Sequence, residues 1–200
     1  MSEKSPSEEF RHAPTVPHQT AWREITLTVL REGSMPASLQ PCDEASKAAA
    51  YWHACIANNP YVNSLQESFA VLMLDSRHKI TGHQLVYVGT LDHVAITARE
   101  VFRGALVSGA AAIILMHNHP SGDPDPSEAD VLTTRELCSA GRLLRINLLD
   151  HVVIGAPTVR HPKGYCSLRA LDHARVARRT ARCRGQHKAK LSRFLSYFDS

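Results

Sequence analysis

The stretch ILMHNHPSGDPDPSEADVLTT, residues 114–134, joins an apolar run to a segment of helical character through a corner crowded with special residues. Two histidines, three prolines and four acidic side chains fall within it. The run that leads in, AAIILM at 111–116, has no helical period and suits a strand buried on both faces. The run that leads out, SEADVLTTRELCSAG at 127–141, reads as a helix with Gly141 placed to close it. Side chains two apart on a strand point the same way, so His117 and His119 present both imidazoles to one side and Asn118 turns away. Pro120, Gly122, Pro124 and Pro126 then stiffen the loop that brings back Ser127 and Asp130.

These residue types in this pattern point to a metal site. His117, His119 and Asp130 offer three nitrogen or oxygen ligands, and a fourth position left to water is the arrangement of catalytic rather than structural zinc. Such an ion lowers the pKa of a water towards ~7 and polarises a carbonyl, although two imidazoles and a carboxylate also accept other divalent ions. One Zn2+ per chain is the expectation. The chemistry needs a proton carrier, and Glu67 and Glu100 are the main candidates. Ser127 to Asp130 is also a fair capping box, so Ser127 can cap the helix as well as serve the site.

Outward from the corner, helices alternate with buried strands. CDEASKAAAYWHACIANNP (42–60) sets Ala45, Ala48, Ala49, Trp52, Cys55 and Ile56 on one helical face, with Asp43 as the expected cap. SFAVLMLD (68–75) and ITGHQLVYVG (80–89) form a hairpin around SRHK. AREVFRGALVSG (98–109) spaces Val101, Phe102, Ala105, Leu106 and Gly109 along one helical face, and INLLDHVVIG (146–155) is a further strand. EITLTVL (24–30) is a possible short strand. The sum is a layered α/β domain with mixed α+β character.

Composition narrows the classes. With 200 residues and 44% hydrophobic side chains the chain supports one substantial core with extensions. Its apolar runs fall short of the ~20 residues a membrane helix needs, and its first residues lack an apolar segment behind a basic start, so a cytoplasmic location away from membranes is expected. The five cysteines are widely spaced without a C-x-x-C pair, which favours reduced thiols over a disulfide framework. The net charge of +4 conceals a division, because Arg169 to Ser200 carries nine Lys or Arg against two Asp, a net +7.

His117, His119, Ser127 and Asp130 fit H-x-H-x7-S-x2-D, the signature of the JAMM or MPN+ metalloproteases, and HNHPSGDPDPSEAD with LLDHVVIG resembles the RadC family within that group. The resemblance implies a central mixed sheet flanked by helices in a cytidine-deaminase-like architecture. It also implies that His117, His119 and Asp130 are the metal ligands, that Ser127 hydrogen-bonds the water or the tetrahedral intermediate, and that Glu67 is the general acid/base. His151 fits the family pattern, with a structural job or one supporting the ligands favoured over direct catalysis.

The expected organisation is a polar disordered arm at 1–22, the MPN/JAMM domain at 23–168 and a partly helical basic extension at 169–200, resembling the short form of the family without its N-terminal helix-hairpin-helix segment. The expected function is zinc-dependent hydrolysis of peptide or isopeptide bonds. The alternative is a DNA-repair-associated factor that binds nucleic acid through Arg175, Arg178, Arg179, Arg182 and Arg184. A metal-dependent nuclease fits less well, because paired metals are common in phosphodiester cleavage.

Overall fold

Strands β1 (Glu67–Leu74) and β3 (Ala112–Asn118) are apolar almost throughout because both of their faces are covered. In the computed structural model, which describes residues 32–89, 96–173 and 198, they are adjacent central strands of a five-stranded mixed sheet. With β2 (Ile80–Gly89), β4 (Asn147–Ile154) and β5 (Tyr165–Ser167), the order across the sheet is β2-β1-β3-β4-β5. β1 runs antiparallel to both β2 and β3, β3 is parallel to β4, and β5 closes the far edge antiparallel to β4. The β1–β2 turn is held by the Asp75 carboxylate, which accepts the N–H groups of Arg77 and Lys79 at 2.8 Å each.

Alternation along the strands divides the core between the two faces. Ala70, Leu72, Leu74, Ala112, Ile114, Met116, Val152 and Ile154 face α1 (Ala45–Tyr51) and the π-helical turn Trp52–Ile56 that continues it. Phe69, Val71, Met73, Ile113, Leu115 and Leu148 face α2 (Ala98–Ser108) and α3 (Glu128–Leu144), meeting Val101, Phe102, Ala105, Leu137 and Cys138. Each fully buried Leu, Ile or Phe contributes roughly 1.5–3 kcal/mol of transfer free energy. His117 shares the second face, beneath the start of α3.

Several local expectations need correction. Glu44, not Asp43, is the N-cap of α1, and Asp43 instead pairs with Lys47 at 2.7 Å. Gly141 does not end α3. The helix runs on to Leu144 and closes on Arg145 in the left-handed region at φ 56°, while a Cβ at Gly141 would lie 2.5 Å from the Ile146 carbonyl and 3.1 Å from the Phe102 ring. Gly141 is therefore a close-packing residue. Leu106, expected on the inner face of α2, is 53% exposed. β5 was not anticipated, being too short at three residues to show a period.

Cys42, Cys55, Cys138 and Cys166 are free thiols, and burial pushes Cys138 and Cys166 up to about 12. Among the described residues no helix is long and apolar enough to cross a membrane. The arm at 1–22, the possible strand at 24–30 and the five tail arginines from Arg175 to Arg184 lie outside the described residues. Phe198, from the same tail, is half-buried against Val153, Cys166 and Leu168.

Candidate metal centre

Three elements converge on one corner. β1 begins with Glu67, β3 ends with His117 and Asn118 followed at once by His119, and α3 brings Asp130 in its first turn. One ligand atom from each of Glu67, His117, His119 and Asp130 lies within 4.8 Å of all the others. His117 Nε2 stands 3.0 Å from His119 Nε2, 3.3 Å from Asp130 Oδ1 and 3.9 Å from Glu67 Oε1, and His119 Nε2 stands 3.5 Å from Asp130 Oδ2.

The pleat accounts for the separation of roles. Asn118 faces away from the cluster and clasps β1, its Oδ1 accepting the Ser68 N–H at 3.0 Å and its Nδ2 donating to the Gln66 carbonyl at 3.0 Å. That clasp sits beside Glu67 and ties the edge from which Glu67 projects. Although β3 ends at Asn118, its path continues, because the His119 N–H donates to the Ile154 carbonyl at 2.9 Å. The stiff loop contributes directly, since the Asp123 carbonyl lies 2.7 Å from His119 Nδ1. At its end Ser127 caps α3, its N–H and Oγ–H both donating to Asp130 Oδ2 at 2.7 Å while its Oγ accepts the Asp130 N–H at 3.1 Å.

Behind the cluster, buried His151 on β4 places Nε2 at 2.8 Å from His117 Nδ1, and its Nδ1 lies 2.7 Å from Thr134 Oγ1. Phe69 stacks on the His117 ring with centroids 4.5 Å apart. Spacing alone did not single out Thr134, Phe69 or the Asp123 carbonyl. The signal for Thr134 was available in its i+4 distance from Asp130, which puts both on one helix face.

Protonation follows from burial and charge. Burial, reinforced by His151, holds His117 well below the usual imidazole range, and burial brings His151 down to about 4. Burial would raise the Asp130 carboxyl, but the hydrogen bond to His119, the charge of His117 and the Ser127 donors together hold it far below the usual carboxylate range. For His119, burial is outweighed by its bonds to Asp130 and Asp123, and the net shift is upward. Burial and the neighbouring Asp130 charge raise Glu67.

The donor set fits a cation. A carbonyl only accepts, so His119 Nδ1 carries a proton towards Asp123, and the ring thereby turns Nε2 towards His117 Nε2 and two carboxylates, where an ion can take the place of a proton. Glu100, the other acid considered, is elsewhere. At the start of α2 its Oε2 accepts the N–H and Oγ1–H of Thr97 at 3.0 Å each.

A mixed sheet flanked by helices, with an E/H/H/D donor set at the carboxyl end of its central strand, defines a JAB-type domain. A family model described as a RadC-like JAB domain matches residues 42–173, more than half of the chain, and the chain belongs to that family. It is similar to a UPF0758 protein of Staphylococcus carnosus, 48% identical over 89 residues that make up 44% of this chain and 39% of the relative. A UPF0758 protein of Xanthomonas oryzae pv. oryzae is 52% identical over 89 residues, covering 44% and 40% of the two chains. One from Methanosarcina mazei is 43% identical over 90 residues, covering 45% and 39%. The chain thus covers only 39% to 40% of the length of these relatives.

Proposed function

We propose that the protein is a zinc-dependent hydrolase of amide or isopeptide bonds. The observation that supports this best is the arrival of Glu67, on a separate strand, at the cluster of His117, His119 and Asp130. A site that only stored a metal would have no need of a carboxyl with a raised pKa at its margin.

When bound, the ion would acidify a water and polarise the scissile carbonyl. Glu67 takes the proton from the attacking water at a carboxylate oxygen and returns it to the leaving amine, a double duty suited to a carboxyl whose pKa is raised by burial and the Asp130 charge. The Ser127 hydroxyl, which donates to Asp130 Oδ2, exchanges that partner for the oxyanion as charge develops. The Asn118 clasp on Gln66 and Ser68 holds Glu67 in place through the proton transfers.

The test is metal content by elemental analysis of wild type, His119→Ala and Asp130→Ala, followed by a screen of amide and isopeptide substrates. About one zinc per chain in wild type, lost in both variants, is expected. Glu67→Gln should keep the metal and abolish turnover. Wild type that takes up no metal after reconstitution would sink the proposal. The net +7 of residues 169–200 motivates a separate reading, weak sequence-independent DNA binding, and an affinity insensitive to salt would remove it.

A further inference from the structure

We infer that Thr134 and His151 are positioning residues whose hydrogen bonds run in one direction, from the Asp130 main chain to His117, and fix the His117 tautomer that turns a bare Nε2 towards the cluster. The inference rests on the metal-site reading above.

The direction follows from counting protons. Thr134 Oγ1 lies 2.6 Å from the Asp130 carbonyl, which can only accept, so the single hydroxyl proton points there. The Thr134 oxygen must then accept from His151 Nδ1 at 2.7 Å, which places a proton on that nitrogen. Both His151 and His117 are 0% exposed, and an imidazolium in so dry a setting without a carboxylate against its inner nitrogen is costly. A neutral His151 with Nδ1 protonated has a bare Nε2, so the 2.8 Å contact is a bond donated by His117 Nδ1–H. His117 Nε2 is left as a lone pair facing Asp130, His119 and Glu67.

The geometry makes one helical turn serve two ligands. Asp130 reaches the cluster with its side chain, while its carbonyl anchors the row of bonds that orients His117. His119 receives the equivalent service from the Asp123 carbonyl. Both imidazoles are thereby anchored through Nδ1, with Nε2 aimed at the cluster, before any ion arrives, which lowers the cost of binding.

The experiment has two readouts. In metal-free protein with 15N-labelled histidines, long-range 1H–15N correlation should find His117 and His151 protonated at Nδ1. Zn2+ titrated against a chromogenic chelator should bind Thr134→Val ~10- to 100-fold more weakly than wild type. Thr134→Ser, which keeps the hydroxyl, should restore the affinity. His117 protonated at Nε2 in the metal-free wild type would overturn the inference, as would a folded Thr134→Val with unchanged zinc affinity. Failure of the metal reading itself would show differently, as wild type that takes up no zinc, and the metal-free spectrum would then decide the tautomer row by itself.

Discussion

Helices α2 and α3 open with the same local device and use it to different ends. Thr97 and Glu100 start one, Ser127 and Asp130 the other, and in each the acidic residue reaches back to the N–H and hydroxyl of the cap. Glu100 spends its reach on the cap alone at the surface. Asp130, one methylene shorter and 7% exposed, gives Oδ2 to Ser127 and turns Oδ1 to His117 at 3.3 Å. A capping motif joins a cluster fit to hold a metal when the strand before it leads into two imidazoles beneath it.

The largest expected difference is in metal binding. Asp130→Ala should weaken zinc by more than ~100-fold, beyond the range of partners behind the ligands, whereas Glu100→Ala should leave it unchanged. Equal losses in a chelator competition would break the contrast. Next comes catalysis under the proposed function: Ser127→Ala should cut turnover by ~100-fold or more, and Thr97→Ala should not affect it. Each of these two should cost about 1 kcal/mol in urea unfolding as a lost cap, so stability alone would not separate them.

Acid sharpens the comparison further. His151 stays neutral down to about 4 when buried, while the same side chain in the unfolded chain takes a proton near 6.5. The unfolded state therefore binds more protons in that window, and the metal-free protein should lose stability as pH falls from 6.5 to about 4. Asp130 and Glu100 are both lowered, so their contributions are present above the ordinary carboxylate range and are lost below it. The corner where β4 meets α3 thus loses stability over two successive windows, and the start of α2 over the lower one only. A urea midpoint flat between pH 6.5 and 4 in the presence of chelator would contradict this.

The smallest effects concern two glycines near the other ends of these helices. Gly109, in open space at φ 65°, caps α2, and Gly109→Ala should cost roughly 1–2 kcal/mol through its backbone. Gly141→Ala should cost about 1–3 kcal/mol for a different reason, contact with the Ile146 carbonyl and the Phe102 ring. Thermal unfolding of Phe102→Leu/Gly141→Ala distinguishes them, since relief by the smaller partner is expected only at Gly141.

That glycine pair marks where sequence stops being informative. Both sit near the end of a periodic run, and only the approach of the chain at Ile146 and of a second helix tells a stop from a packing site. The buried strands β1, β3 and β4 were legible because runs without helical period, covered on two faces, leave little else to be. The cluster of His117, His119 and Asp130 was legible for a local reason, two-residue spacing followed by a stiff return. Thr134 and the Asp123 carbonyl were not. Their roles depend on which side chain lies across the sheet or loop, and a carbonyl leaves no residue-type signature at all.

The site draws on chain positions 67, 117, 119 and 130, brought together by the pairing of β1 with β3 and the packing of α3 on the sheet. The unfolded chain holds these donors apart. An ion bound there is consequently a ligand of the folded state, raising stability by about 4 kcal/mol when its free concentration is ~1,000 times Kd. Removal of such an ion would then leave the chain easier to open and to cleave, whether or not a substrate is present.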